Sequence, residues 1–179
     1  MSGASHWPSA VLVGLGNSIL RDDAVGLLVA RRAKQLLGDE ASVKVVENER
    51  GGMDVLDLIA GYRRAVLVDA IKTGSLPPGS LILLTPEELP QTRRLAGLHD
   101  LDLPAALELA DIMGLERPKE IFILAVEIQE DLTFGEDCTP AVAAAVEPAA
   151  RVAERLAQDR VLPDDVRIHR IATSDEGRR

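Results

Sequence analysis

Apolar runs of strand length alternate along this chain with stretches of helical period. Val11 to Leu15 is apolar throughout and reads as a first strand covered on both faces. After a glycine turn, Asp22 is placed to cap a helix running to about Leu37, with Gly38 as its stop. Val25, Leu28, Val29, Ala33 and Leu36 make one stripe on it, and Arg31, Arg32, Lys34 and Gln35 face water. Ser42 to Glu47 alternates and then turns apolar, which predicts a second strand. Met53 to Ala60 follows as a short helix and Arg64 to Ile71 as the third strand.

The connection from Ile71 to Ser80 carries Gly74, Pro77, Pro78 and Gly79 and is too short and broken for a crossover helix. The fourth strand, Leu81 to Leu84, is therefore expected to run antiparallel to the third. Pro86 to Leu89 suggests a turn of helix and Pro90 to Leu98 an irregular loop. Asp102 can cap a helix from Leu103 to Met113, with Pro104 acceptable in its first turn. Lys119 to Glu127 is a fifth, strongly apolar strand. Thr139 and Pro140 open a last helix to about Gln158, which Pro148 is expected to kink or break by removing a hydrogen bond.

This order implies a three-layer α/β/α sandwich around a five-stranded, mostly parallel twisted sheet with one antiparallel strand. Residues 1–160 make a single domain, and 161–179 a charged tail expected to be partly mobile, within which Val166 to Ile171 alternates like an edge strand.

Composition narrows the function classes. At 179 residues with 46% hydrophobic side chains, the chain can bury a full core, built from Leu, Val, Ile and Ala because only one Trp, one Tyr and two Phe are present. A net charge of −9 and so few aromatics argue against a nucleic-acid partner. No apolar run approaches the roughly 20 residues that span a bilayer. Met1 to Ser9 lacks the basic start and apolar core of a signal peptide. A soluble, cytoplasmic protein without a membrane partner is expected, and the single Cys138 excludes an intramolecular disulfide.

Three residues carry the candidate chemistry. Asp23 follows the first strand; it is either an ordinary first-turn acid facing the helix dipole or a ligand group, and Asp22 beside it already meets the need for a cap. Asp69 closes the buried run Ala65-Val-Leu-Val68, where it either caps nearby amides or meets a cation. Ligand sites of open α/β sheets lie beyond such strand ends, so both carboxylates should reach one edge. His99 lies in a loop before a helix, either as an idle surface imidazole or as a third ligand. Two carboxylates and an imidazole suit a divalent transition metal.

Other chemistries fit poorly. Gly14-Leu-Gly16 begins like a dinucleotide fingerprint, but Ile19 stands at the third glycine position and the acids after it would repel a pyrophosphate. Asn17 is better read as stabilising the turn. Cys138 follows Glu136 and Asp137, which raise a thiol pKa, and no serine sits in a nucleophile elbow.

The chain resembles the hydrogenase maturation endopeptidases. Gly14-Leu-Gly-Asn17 with Asp22-Asp-Ala-Val-Gly26 looks like the family's opening motif. Gly51-Gly52, the strand ending at Asp69-Ala70, Pro78-Gly79 and Leu98-His99-Asp-Leu-Asp-Leu103 follow in order, so the likeness spans roughly residues 10–147. Where many relatives have Gly-Thr before the second helix, Glu49-Arg50 stands here, which could alter substrate recognition. The resemblance implies an endopeptidase that removes the C-terminal extension of the nickel-iron hydrogenase large-subunit precursor after nickel insertion. It also implies that nickel arrives with that precursor, the free enzyme holding no tight metal, and that Asp23, Asp69 and His99 recognise it and carry the catalysis. Some relatives have Glu at the first position, one methylene longer than Asp23. Two rivals remain at this stage: a non-catalytic metal- or small-ligand-binding module of the same fold, and a different metallohydrolase with a self-contained metal site.

Overall fold

The structure, a computed structural model, describes residues 9–39, 42–50, 54–89, 103–129 and 133–170. The buried apolar runs become strands β1 (Ala10–Leu15), β2 (Val43–Asn48), β3 (Arg64–Ile71), β4 (Leu81–Leu84) and β5 (Glu120–Glu127). Helices α1 (Val25–Leu37), α2 (Asp54–Ile59), α3 (Leu103–Ile112) and α4 (Pro140–Ala157) lie between and after them, with a 3-10 turn at Pro86–Glu88. A short β6 (Ile168–His169) makes the sheet six-stranded rather than five-stranded, in the order β2-β1-β3-β5-β4-β6.

Strands β1, β2, β3 and β5 run parallel, and β4 is antiparallel to β5. The direction of β4 is the one its short connection requires, but its neighbour is not β3. The chain passes over the slot that β5 later fills; β4 ends at the edge where β5 begins, so this antiparallel pair needs no crossover and β5 runs parallel to β3 beside it. β6 pairs with the outer edge of β4 through Leu81–Ile168 and Ile82–His169, so part of the charged tail closes the sheet.

Strand alternation divides the core in two. Ala10, Leu12, Val66, Val68, Leu124 and Val126 face α1 and α4. Val11, Val13, Leu15, Leu67, Ile71 and Ile123 face α2 and α3. Helices cover both faces, as the runs of wholly buried residues in β1 and β3 require.

Two helix details differ from the sequence pattern. α1 starts after Ala24 and buries Gly26, Leu27, Ala30 and Leu37, while Leu36 is exposed. Gly26 is seated on the sheet, where a Cβ would collide with the carbonyls of Leu15 and Val68. At about 100° per residue Leu37 returns almost to the direction of Gly26, and Leu36 turns away. α4 runs unbroken through Pro148. The carbonyl deprived of a partner belongs to Ala144, which is exposed, so water can serve it.

At the N-terminal ends of the strands, buried Arg64 pins α4 to the sheet. Its Nη1 donates to the Leu156 carbonyl at 2.9 Å, its Nε to Glu120 at 3.0 Å, and its Nη2 reaches Asp159 at 2.6 Å. The guanidinium also stacks 5.6 Å from the Phe122 ring centroid. The opposite edge is thereby left as the place where several loops meet.

Candidate functional site

The C-terminal ends of β2, β1, β3 and β5 share that opposite edge. Leu15 lies opposite Asn48 on β2, and Gly14 opposite Val68 on β3. Asp69, one residue beyond Val68, therefore comes level with Leu15, where β1 ends, two residues before β3 itself ends at Ile71. Its neighbours Leu67 and Ile71 on the same strand face belong to the α2/α3 cluster, so Asp69 is on that side. Its side chain is fully buried, and Oδ1 accepts the Ala70 N–H at 2.8 Å.

Asp23 is brought to the same edge by two glycines. Gly26 locks the first turn of α1 over the ends of β1 and β3. Gly16 has φ +150° and lies so close to the Asp23 carbonyl that no side chain fits between them. The loop from β1 into α1 is thus compact, and Asp23 is 2% exposed. Asn17 contributes as the sequence suggests, with Oδ1 accepting the Ile19 N–H at 3.1 Å.

Two of the three candidate residues are therefore gathered at one edge. His99, with the 90–102 segment, Asp102 and Gly51-Gly52, lies outside the described residues. α3, which follows His99 in the chain, packs by Leu103, Ala106 and Leu107 into the Asp69 face of the core. Among the described residues no group of three or more metal-capable side chains is assembled.

Asp22 does not cap α1. The residue before that helix is Ala24, and no side chain caps it. Asp22 is fully buried and reaches across to α4, where Oδ1 accepts the Thr139 N–H at 2.7 Å and Oδ2 the Thr139 hydroxyl at 2.9 Å. A carboxylate placed at the N-terminus of an 18-residue helix also meets its positive dipole end. The neighbouring acids thus separate in role: Asp22 ties two helices together, and Asp23 stays at the strand ends.

Glu127 is the residue that sequence reasoning missed. It ends β5 at the same edge, is 1% exposed, and organises the loop after β3. Oε1 accepts the Thr73 and Gly74 N–H groups, each at 2.8 Å, and Oε2 the Thr73 hydroxyl at 2.7 Å. A carboxylate ending an apolar strand was the available signal, the same one that singled out Asp69.

Cys138 is buried, and its thiol donates to the Arg21 carbonyl at 3.1 Å. Burial, then the nearby Asp22 carboxylate, pushes its pKa up to about 11. It stays a protonated thiol at neutral pH, which removes it as a nucleophile. Burial is the larger cause, where the sequence pointed to the adjacent acids.

The hydrogenase maturation protease family model matches residues 27–156. The chain belongs to that family. The match contains Asp69 and His99 and begins just after Asp23. Among curated relatives, the hydrogenase 2 maturation protease of Escherichia coli is 30% identical over 141 residues, covering 78% of this chain and 84% of the relative. The hydrogenase expression/formation protein HoxM of Azotobacter vinelandii is 26% identical, covering 82% and 70%. Among solved structures, the hydrogenase maturating endopeptidase HybD from E. coli superposes with a TM-score of 0.64 at 28% identity, over 79% of this chain and 86% of that one. This hydrogenase maturation protease is accordingly an endopeptidase built on a mixed, mostly parallel α/β sheet.

Proposed function

We propose that this protease removes the C-terminal extension of a nickel-iron hydrogenase large-subunit precursor once nickel is in place, and that Asp23, Asp69 and His99 read the nickel. Family membership supports the reaction class and the kind of partner. The observation that carries the site is the convergence of Asp23 and Asp69, 2% and 0% exposed, at one edge of the sheet although 46 positions separate 23 from 69.

Buried carboxylates are costly in isolation and attract a cation strongly where water is excluded. Two carboxylates and an imidazole suit a divalent transition metal, and nickel is among the ions that accept such donors. In this reading the nickel comes as cargo of the precursor, so the protease recognises it without owning it. Bound there, it would polarise the scissile carbonyl or a water molecule. The chain's own part is to fix the geometry. Asp69 is held by its strand, Asp23 by the Gly16 and Gly26 contacts, and the adjoining loop by Glu127.

The test is a purified mixture of this chain with a nickel-loaded large-subunit precursor, read by mass spectrometry of the precursor. Loss of a C-terminal peptide supports the proposal, and an intact precursor refutes it. Elemental analysis of the protease alone should find no stoichiometric metal. A stoichiometric ion would instead favour a self-contained metallohydrolase site.

A further inference from the structure

Residues 19–21 and 133–135 form a short antiparallel ribbon, with Leu20 paired to Phe134. The Arg21 N–H donates to the Thr133 carbonyl at 2.9 Å and the Gly135 N–H to the Ile19 carbonyl at 3.1 Å. Arg21 Nε adds a bond to the Asp137 carbonyl at 3.1 Å. Gly135 lies against the Arg21 side chain so closely that a Cβ would displace it. The ribbon is thus fixed to the segment that leads directly into Asp22 and Asp23.

On this rigid support Phe134 is 76% exposed and Ile19 59%. A single exposed apolar residue is ordinary. Here one of only four aromatic residues in the chain stands in water on a braced turn paired with the segment that leads into the buried Asp22 and Asp23. The pairing pattern adds a second observation. Leu20 and Phe134 form the pair whose own backbone groups point away from each other, because the bonds on either side are made by residues 19, 21, 133 and 135. Phe134 therefore directs its N–H and C=O to the outer side of the ribbon, and among the described residues it makes no backbone hydrogen bond there.

An outward donor, an outward acceptor and an exposed ring together match an extended polypeptide carrying an apolar side chain. We infer that the outer edge of residues 133–135, centred on Phe134, is where an extended segment of the hydrogenase large-subunit precursor docks as the catalytic edge engages it. The inference rests on the endopeptidase reading above and names a substrate contact of that same site. Backbone pairing makes the contact tolerant of sequence, and Phe134 sets its preference for an apolar residue. Because the ribbon is already ordered, little entropy is lost when substrate arrives.

The experiment measures steady-state cleavage of nickel-loaded precursor by the wild type and by Phe134→Ser, Phe134→Leu and Ile112→Ser. Ile112, on the distant end of α3, is also 76% exposed and serves as the matched control. Phe134→Ser should raise KM by about tenfold or more, the effect of losing one apolar anchor, with kcat and melting temperature nearly unchanged. Phe134→Leu should recover most of the lost affinity, and Ile112→Ser should match the wild type. Titration of the precursor into proteases that also carry Asp69→Asn should show the same loss of affinity for Phe134→Ser without any cleavage. A KM unchanged in Phe134→Ser, a fall in kcat alone, or an equal effect of Ile112→Ser would overturn the docking edge. A precursor left uncut by the wild type would instead refute the endopeptidase reading itself.

Discussion

Asp69 is fully buried, so replacing it tests its charge more than its shape. Asn keeps the oxygen that accepts the Ala70 N–H and nearly the same volume. Asp69→Asn should therefore change the stability by only about 1 kcal/mol in either direction, since relief from burying a charge offsets an imperfect amide fit. Thermal unfolding checks this. Cys138→Ser should leave precursor cleavage intact, because the serine hydroxyl can still donate to the Arg21 carbonyl and the thiol is not ionised well below about pH 11. Thiol-directed reagents should be equally without effect, and a folded Cys138→Ser protein that fails to cleave would place the chemistry on the thiol. At this scale the sequence was only partly legible. Asp69 could be picked out because a carboxylate ended a buried run, and Glu127 carried the same signal unnoticed. The purpose of Asp22 was invisible, since its partner Thr139 lies 117 residues away.

α1 and α4 are tied together beside the edge that carries Asp23. Asp22 joins them, and Asp22→Ala would strand the Thr139 N–H and remove a charge from the α4 N-terminus. The expected cost is about 1–3 kcal/mol, or roughly 2–4 °C of melting temperature per kcal/mol in a chain of this size. Gly26→Ala is predicted to be worse for activity than for folding. A methyl group there pushes the start of α1 away from the Leu15 and Val68 carbonyls and shifts Asp23 with it. Cleavage assays beside thermal melts should show activity lost in protein that remains folded. Ion pairs of exposed carboxylates add an acid dependence. Arg32 holds the Glu147 carboxyl, Arg64 the Asp159 carboxyl and Arg151 the Asp165 carboxyl below their usual range. Their contribution is present above the ordinary carboxylate pKa and fades as pH falls through the lowered values. Melting temperature should then drop modestly below about pH 4, as screened surface pairs contribute little. Strands and helices were readable because their periods are local. The alternation of Val166 to Ile171 marked the edge strand that forms β6, but neither its partner nor the neighbour of β4 was readable, because both depend on which edge remains open once β5 is inserted.

Across the whole molecule, the apolar runs fixed two covered sheet faces, and parallel strands gathered separate sequence positions at one edge. That is why the edge shared by residues 23 and 69 could be anticipated from a linear pattern. The contribution of His99 rests on the family resemblance, with that residue outside the described part of the chain. Among the described residues no helix is long and apolar enough to cross a membrane. The central claim is that two carboxylates and one imidazole make cleavage conditional on nickel in the precursor. The most direct measurement combines mass spectrometry of nickel-loaded and nickel-free precursor with thermal melts of wild type, Asp69→Asn, His99→Ala and His169→Ala. The account predicts a shortened C-terminus only from nickel-loaded precursor, only with wild type and His169→Ala, and melting temperatures within a few degrees for all four proteins. Normal cleavage by folded Asp69→Asn or His99→Ala, or equal cleavage of nickel-free precursor by the wild type, would contradict it.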